Sequence, residues 1–143
     1  MFGRPVEITK GPSSNRRTIY GFIDRQNLPG LFRTFDLASP DTTNPQRYLT
    51  TVPQQALFLL NSPFAQEQAK AMVQRREIAE EKDSAARVQA LYRVAYARSA
   101  DADEVRLGEQ FLASAQAAAE GEMNPLERYA QVLLLANEFM FVD

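Results

Sequence analysis

The sequence predicts an all-α protein: a helical bundle of about five to six helices with an irregular, partly extended N-terminal arm. Three observations carry this expectation. Seven of the eight prolines fall at or before position 63, so turns crowd the first half and spare the second. Apolar residues in the second half recur at helical spacing, as in Val88, Leu91, Tyr92 and Ala95. Helix-start signals stand ahead of those stretches, notably Asp101 with Glu104 and Asn124-Pro125-Leu126-Glu127.

Taken in order, residues 1–15 hold Gly3, Pro5, Gly11, Pro12, Ser13, Ser14 and Asn15 and read as an extended arm or loop. Thr18-Ile19-Tyr20-Gly21-Phe22-Ile23 is β-prone and predicts one short strand or extended segment. Pro29 opens a short helix through Leu31, Phe32 and Phe35 that ends near Ser39-Pro40. After a polar loop, Thr51-Val52-Pro53-Gln54 has the form of a capping box. The helix it starts, Gln55 to Leu60, is apolar nearly all round, which predicts burial. Asn61-Ser62-Pro63 ends it and begins the next, with Ser62 as N-cap.

Phe64, Ala69, Met72, Val73 and Ala79 predict a single helix with a less regular charged end. Ser84 is the expected cap of the helix carrying Val88 to Ala95. The following helix uses Val105, Gly108, Phe111, Leu112 and Ala115 and has Gly121 as its expected stop. The last buries Leu126, Tyr129, Val132, Leu133 and Ala136, and the apolar tail Phe139 to Val142 is expected to dock. The whole reads as one domain over 1–143, with an arginine- and proline-rich part at 1–61 and a bundle at 62–143.

A chain of 143 residues with 45% apolar and 24% charged residues can bury a real core. It has no run of about eighteen apolar residues, so no membrane span is expected. The first residues lack the apolar core and cleavage site of a signal peptide. The chain is therefore either cytosolic as it stands or separated from an upstream part that carries the address. The net charge of −2 divides into +3 over residues 1–61 and −5 over the rest, which favours mutual attraction of the halves. So small a basic excess argues against a nucleic-acid partner.

Cysteine and histidine are both absent. That removes disulfides, thiol nucleophiles and covalent haem attachment, and it excludes Ser-His-Asp and Cys-His catalysis. A zinc site would need oxygen ligands alone, so no metal and no cofactor are expected in this chain. Asp24, Asp36 and Glu67 could supply a carboxylate pair, but their sequence positions fix no spacing in space. Met72, Met123 and Met140 read as packing residues rather than haem ligands, and Glu77, Glu80, Glu81 and Asp83 as a solvated helix end.

The polar residues of the first half are denser than folding alone needs. Arg16, Arg17, Asp36, Arg47, Gln55 and Asn61 are interleaved with Tyr20, Phe22, Phe32, Phe35, Tyr48 and Phe58. Arginine forks bind carboxylates bidentately, whether from a ligand or from the protein itself. One reading is an anion- or saccharide-binding pocket, catalytic or not. The other is an internal network that pins loops lacking regular hydrogen bonds.

Several blocks stand in a set order: Arg16-Arg17-Thr18-Ile19-Tyr20, Phe35-Asp36, Thr50 to Leu57, Leu60-Asn61-Ser62-Pro63-Phe64, Leu91 to Arg98, and Asn137 to Asp143. In these the chain resembles the C-terminal part of large planctomycete proteins built from two domains of unknown function, numbered 1549 and 1553. Many of those proteins carry a c-type haem domain upstream. The resemblance spans nearly the whole chain. It implies an exported multidomain protein of which this is the end of domain 1553, and hence a periplasmic or other extracytoplasmic location. It also implies that Arg17, Asp36, Arg47, Gln55 and Asn61 occupy the motif's polar positions. The haem-binding residues of those relatives have no counterpart here, and no reaction transfers.

The function expected from the residue types and the resemblance together is a non-catalytic helical accessory or interaction domain. Its expected partner is an upstream domain of the same parent protein or a second copy of the chain.

Overall fold

In the computed structural model, residues 20–24, 27–28, 30–38, 43, 53–115 and 122–140 are described. The fold is helical, and no strand forms among the described residues. Eight helices are present there: α1 (Gly30–Thr34), α2 (Pro53–Asn61), α3 (Pro63–Val73), α4 (Arg76–Ala79), α5 (Ser84–Tyr96), α6 (Ala102–Ser114), α7 (Pro125–Leu135) and α8 (Asn137–Met140). The chain divides into two compact units, Met1–Phe58 and Leu59–Asp143. Residues 1–19 and 44–52 lie outside the described residues, and with them the expected arm and the Thr51 cap. Of the β-prone segment, Tyr20 to Asp24 form no strand, only an isolated bridge at Gly21.

In the first unit, α1 buries Phe32. It ends in a tight reversal. The Leu37 N–H donates to the Phe32 carbonyl at 2.9 Å and the Asp36 N–H to Arg33 at 3.3 Å, with Asp36 left-handed at φ 54°. This pairing is the Schellman arrangement, with aspartate where glycine is usual. Aspartate tolerates the left-handed region better than most residues, so the helix stops here without a glycine and before Ser39.

The second unit holds the better-defined core. Ala69 and Met72 from α3, Ile78 from α4, Val88, Leu91 and Tyr92 from α5, and Tyr129, Ala130 and Leu133 from α7 form one buried cluster. Ile78, Val88 and Leu91 are fully enclosed. Burying each such side chain contributes about 1.5–3 kcal/mol. α3 packs chiefly on α7, and α5 on α6. The start signals of the last long helices act as expected. Asp101 and Glu104 close a capping box on α6, and Asn124 and Glu127 close one on α7, with Pro125 at the first helical position.

Several expectations need correction. The helix foreseen from Phe64 to Ala79 is two helices, because Arg75 turns extended (φ −61°, ψ 139°) and becomes the N-cap of α4. Past the break, Ile78 is fully buried in the core. Asp83, not Ser84, caps α5, accepting from the Ala86 N–H; the Ser84 hydroxyl donates instead to Glu109 at 2.7 Å. Ser62 is the N-cap of α3 but makes no side-chain capping bond. α6 ends at Ser114, where Ala115 turns extended, earlier than the expected stop at Gly121.

α2 is not buried. Leu57 and Leu60 are 57% and 52% exposed, because a helix apolar on every side needs neighbours on every side. Val132, expected to be buried, is also about half exposed, as is Phe64. Four-residue helices such as α4 and α8 raise the count above five to six, since such short segments carry too little periodicity to be read.

Candidate functional site

The residues singled out in the sequence fall in three places. Arg16, Arg17 and Arg47 lie outside the described residues. Asp36 and Gln55 belong to the first unit. The Gln55 amide donates to the Thr34 carbonyl at 3.0 Å, satisfying one of the acceptors that the end of α1 leaves open. Beside it, Phe35 and Phe58 meet edge to face with ring centroids 5.8 Å apart. Gln55 thus ties α2 to the turn that Asp36 makes. Asn61 is the exposed last residue of α2 and lies in the second unit.

A denser cluster, not foreseen as a site, forms in the second unit around Arg98. α5 closes on Ala97, which is left-handed at φ 57° and whose N–H donates to the Arg93 carbonyl. A left-handed alanine is costly. Here it reverses the chain so that Arg98 folds back over α5. The guanidinium carbon then lies 5.2 Å from the Tyr92 ring centroid and 5.6 Å from that of Tyr96.

All five guanidinium N–H groups find acceptors. Nε and Nη2 donate to the two carboxylate oxygens of Glu138 at 2.6 and 2.8 Å. Nη1 and Nη2 donate to Glu104 at 2.8 and 2.7 Å, and Nη1 also reaches the Ser99 carbonyl at 3.0 Å. Glu104 serves twice, because the same carboxylate accepts from the Asp101 N–H and completes the α6 capping box. One arginine thereby joins the end of α5, the start of α6 and the start of α8.

The electrostatics follow from this geometry. Hydrogen bonds from Arg98, with the Asp101 N–H adding to them, hold the Glu104 carboxyl down at about 2. Glu138 is likewise held below its ordinary value by Arg98. The two carboxylates in turn raise Arg98 further above its already high value. Under the arginine, the Tyr92 and Tyr129 hydroxyls interact with one another, and the Tyr96 hydroxyl donates to the Leu133 carbonyl at 2.9 Å. Burial pushes Tyr96 up to about 12 and raises Tyr92 and Tyr129 as well.

The chemical capacity of this cluster is therefore limited. Its arginine has no donor left for a ligand, and its tyrosines keep their protons near neutral pH. Among the described residues no buried side-chain polar atom lacks a partner, and no group of acidic residues is arranged to hold a metal. Among the described residues of the unit, two open grooves lie at the surface. One, of about 590 Å³, has Val73, Ile78, Leu112 and Leu126 along it, with Lys82 and Arg87 among its polar residues. The other, of about 520 Å³, lies along Leu60, Lys70, Phe111, Met123 and Val132.

Residues 4–112 match the family described as "Protein of unknown function (DUF1553)". The chain belongs to that family. No curated protein and no solved structure matches it. The DUF1553 match covers Arg98 and Glu104 but stops short of α7, α8 and Glu138, so half of the arginine's carboxylate partnership comes from beyond the matched span.

Sequence reasoning found the Asp101–Glu104 box but not its second use. Tyr92 and Tyr96, four apart on a helix, mark a shared face on which an arginine could lie. Nothing in the sequence tells that Ala97 turns left-handed, and that turn is what brings Arg98 there.

Proposed function

We propose that this DUF1553 chain is a non-catalytic helical interaction domain that packs on an upstream domain of a larger exported protein. The observation that carries the reading is the pairing of spent polar chemistry with unspent apolar surface. In the second unit Leu60, Phe64, Leu107 and Val132 are about half exposed, and Leu60 and Val132 share one groove. Exposed apolar side chains grouped along a groove fit a surface that another protein covers. The extracytoplasmic location rests on the family resemblance; no helix among the described residues is long and apolar enough to cross a membrane.

The polar residues of the first half, Arg16, Arg17, Asp36, Arg47, Gln55 and Asn61, are assigned in the same proposal to structural roles rather than to a ligand pocket. The Gln55 amide on a main-chain carbonyl supports that reading for its own position.

The test is solution behaviour. The isolated chain should bind an apolar dye and self-associate as its concentration rises, and Leu60→Gln with Val132→Gln should reduce both without changing the helical signal. A monomer that binds no dye at any concentration sinks the proposal.

A further inference from the structure

α8 is held differently from every longer helix of the second unit. It has no buried residue, whereas α3, α5, α6 and α7 each have at least one. Phe139 and Met140 stand 44% and 37% exposed. Its backbone closes locally, with the Phe139 and Met140 N–H groups both donating to the Ala136 carbonyl. Among the described residues, the side-chain hydrogen bonds joining α8 to the rest of the unit are the two between Arg98 and Glu138.

We propose that the Arg98–Glu138 fork is a latch that holds α8 on the α5–α6 junction and opens in acid or high salt while the bundle stays folded. Opening frees Phe139 and Met140 together as a short apolar hook.

The argument is one of unequal stakes. The long helices are fixed by apolar burial, which neither salt nor protonation removes. α8 has no buried residue, and its side-chain hydrogen-bond tie is a charge-assisted pair open to solvent, which salt screens and protonation of the carboxylate abolishes. Among the described residues, the titratable and charged groups facing Glu138 are Arg98 from the α5–α6 connection, Glu104 from α6, and Tyr92 and Tyr96 from α5, with none from α7. Arg98 favours the ionised carboxylate and Glu104 opposes it, with Arg98 the stronger. The two tyrosines remain neutral throughout the acid range. The latch is thus closed above the ordinary carboxylate range and opens as pH falls below it. When Glu138 leaves, Arg98 keeps its bidentate pair with Glu104, so the α5–α6 junction persists.

Methionine positions supply the readout. Met140 lies on α8, while Met72 and Met123 are in the buried core. In the full chain with isotope-labelled methionine methyl groups, the Met140 resonance should shift toward its Glu138→Gln position as the pH is lowered from neutrality. Salt of about 1 M at neutral pH should move it the same way. Met72 and Met123 should stay in place over that range. Arg98→Lys, which keeps the charge but loses the fork, should displace Met140 already at neutral pH. A single transition in which all three methyls move together overturns the latch. So does a Met140 resonance identical in the wild type and Glu138→Gln.

Discussion

Gly108 lies on the face of α6 that meets α5 and α7, and replacing it by alanine sets two effects against each other. A Cβ built there meets the Tyr129 hydroxyl oxygen and Val88 Cγ2 at 2.7 Å each, with Tyr129 Cζ at 3.0 Å. Ordinary carbon contacts lie at about 3.5–4.0 Å, so the new methyl is about 1 Å too close on two sides. Neither neighbour yields easily. Val88 is fully buried and stiff at its branched Cβ, and Tyr129 is 7% exposed with its ring packed on Phe111. Overpacking of this kind costs about 1–3 kcal/mol. Alanine gains about 1 kcal/mol over glycine in a helix interior. Because two buried atoms are crowded at once, the upper half of the cost range applies, and Gly108→Ala should destabilise by about 1–2 kcal/mol.

Urea denaturation followed by far-ultraviolet circular dichroism measures this. Ala113→Gly, at an exposed position on the same helix, supplies the local propensity scale. In a Tyr129→Phe background, which removes the crowding oxygen, the penalty should shrink by about 0.5 kcal/mol or more, as expected for residues in contact. A Gly108→Ala chain that is more stable than wild type by the propensity difference alone would refute the close approach of α6.

Other perturbations have equally definite outcomes. Ala97→Gly relieves a left-handed alanine and should stabilise by about 0.5–1 kcal/mol, read as a higher urea midpoint; a lower midpoint contradicts the strain. Glu104 ionises at about 2 when folded against 4.5 ordinarily, so its contribution is complete above about pH 5 and lost as pH falls toward 2. The stability difference between wild type and Glu104→Gln should therefore close in acid, and parallel pH profiles would exclude that linkage. Tyr96 holds its proton up to about 12, so stability falls as pH rises from 10 through that value. Tyr96→Phe should leave the phenolate absorbance near pH 10.5 unchanged; a loss of absorbance there means the ring is not enclosed. Leu91→Ala, at a fully buried position, should cost about 2–5 kcal/mol by chemical denaturation, and a near-neutral result would displace Leu91 from the core.

The bundle was legible because its helices are long enough to show their period and carry their own start signals. Val88, Leu91 and Tyr92 recur at helical spacing, and the Asp101 and Asn124 boxes are local chemistry that neighbours hardly alter. What escaped was set by partners rather than by period. Leu57, Leu60, Phe64 and Val132 have the composition of core residues, yet their exposure depends on which faces other elements reach. The break at Arg75 depends on Ile78 gaining a fully buried position, a tertiary gain that local propensity does not register. The first-half polar residues were recognised as a group, but the geometry resolves a role for Gln55 and a backbone conformation for Asp36. The Arg98 cluster shows the converse: ordinary residues at ordinary spacings converge through a single left-handed turn and a contact with Glu138, forty residues away.

Gln131 has a consequence for the order in which the second unit is made. Its buried amide donates to the carbonyls of Leu59 and Leu60, at 3.4 and 2.9 Å, more than seventy residues back along the chain. The helix that carries it, α7, is also the main packing partner of α3. On the ribosome, where about 5–20 residues are added each second, α3 therefore emerges several seconds before the surface it needs. The α5–α6 pair, joined by a short connection, closes in the meantime. A nascent chain halted after α6 would present Ala65, Ala69 and Met72 to solvent, and so offer chaperones a binding surface that the finished protein withdraws.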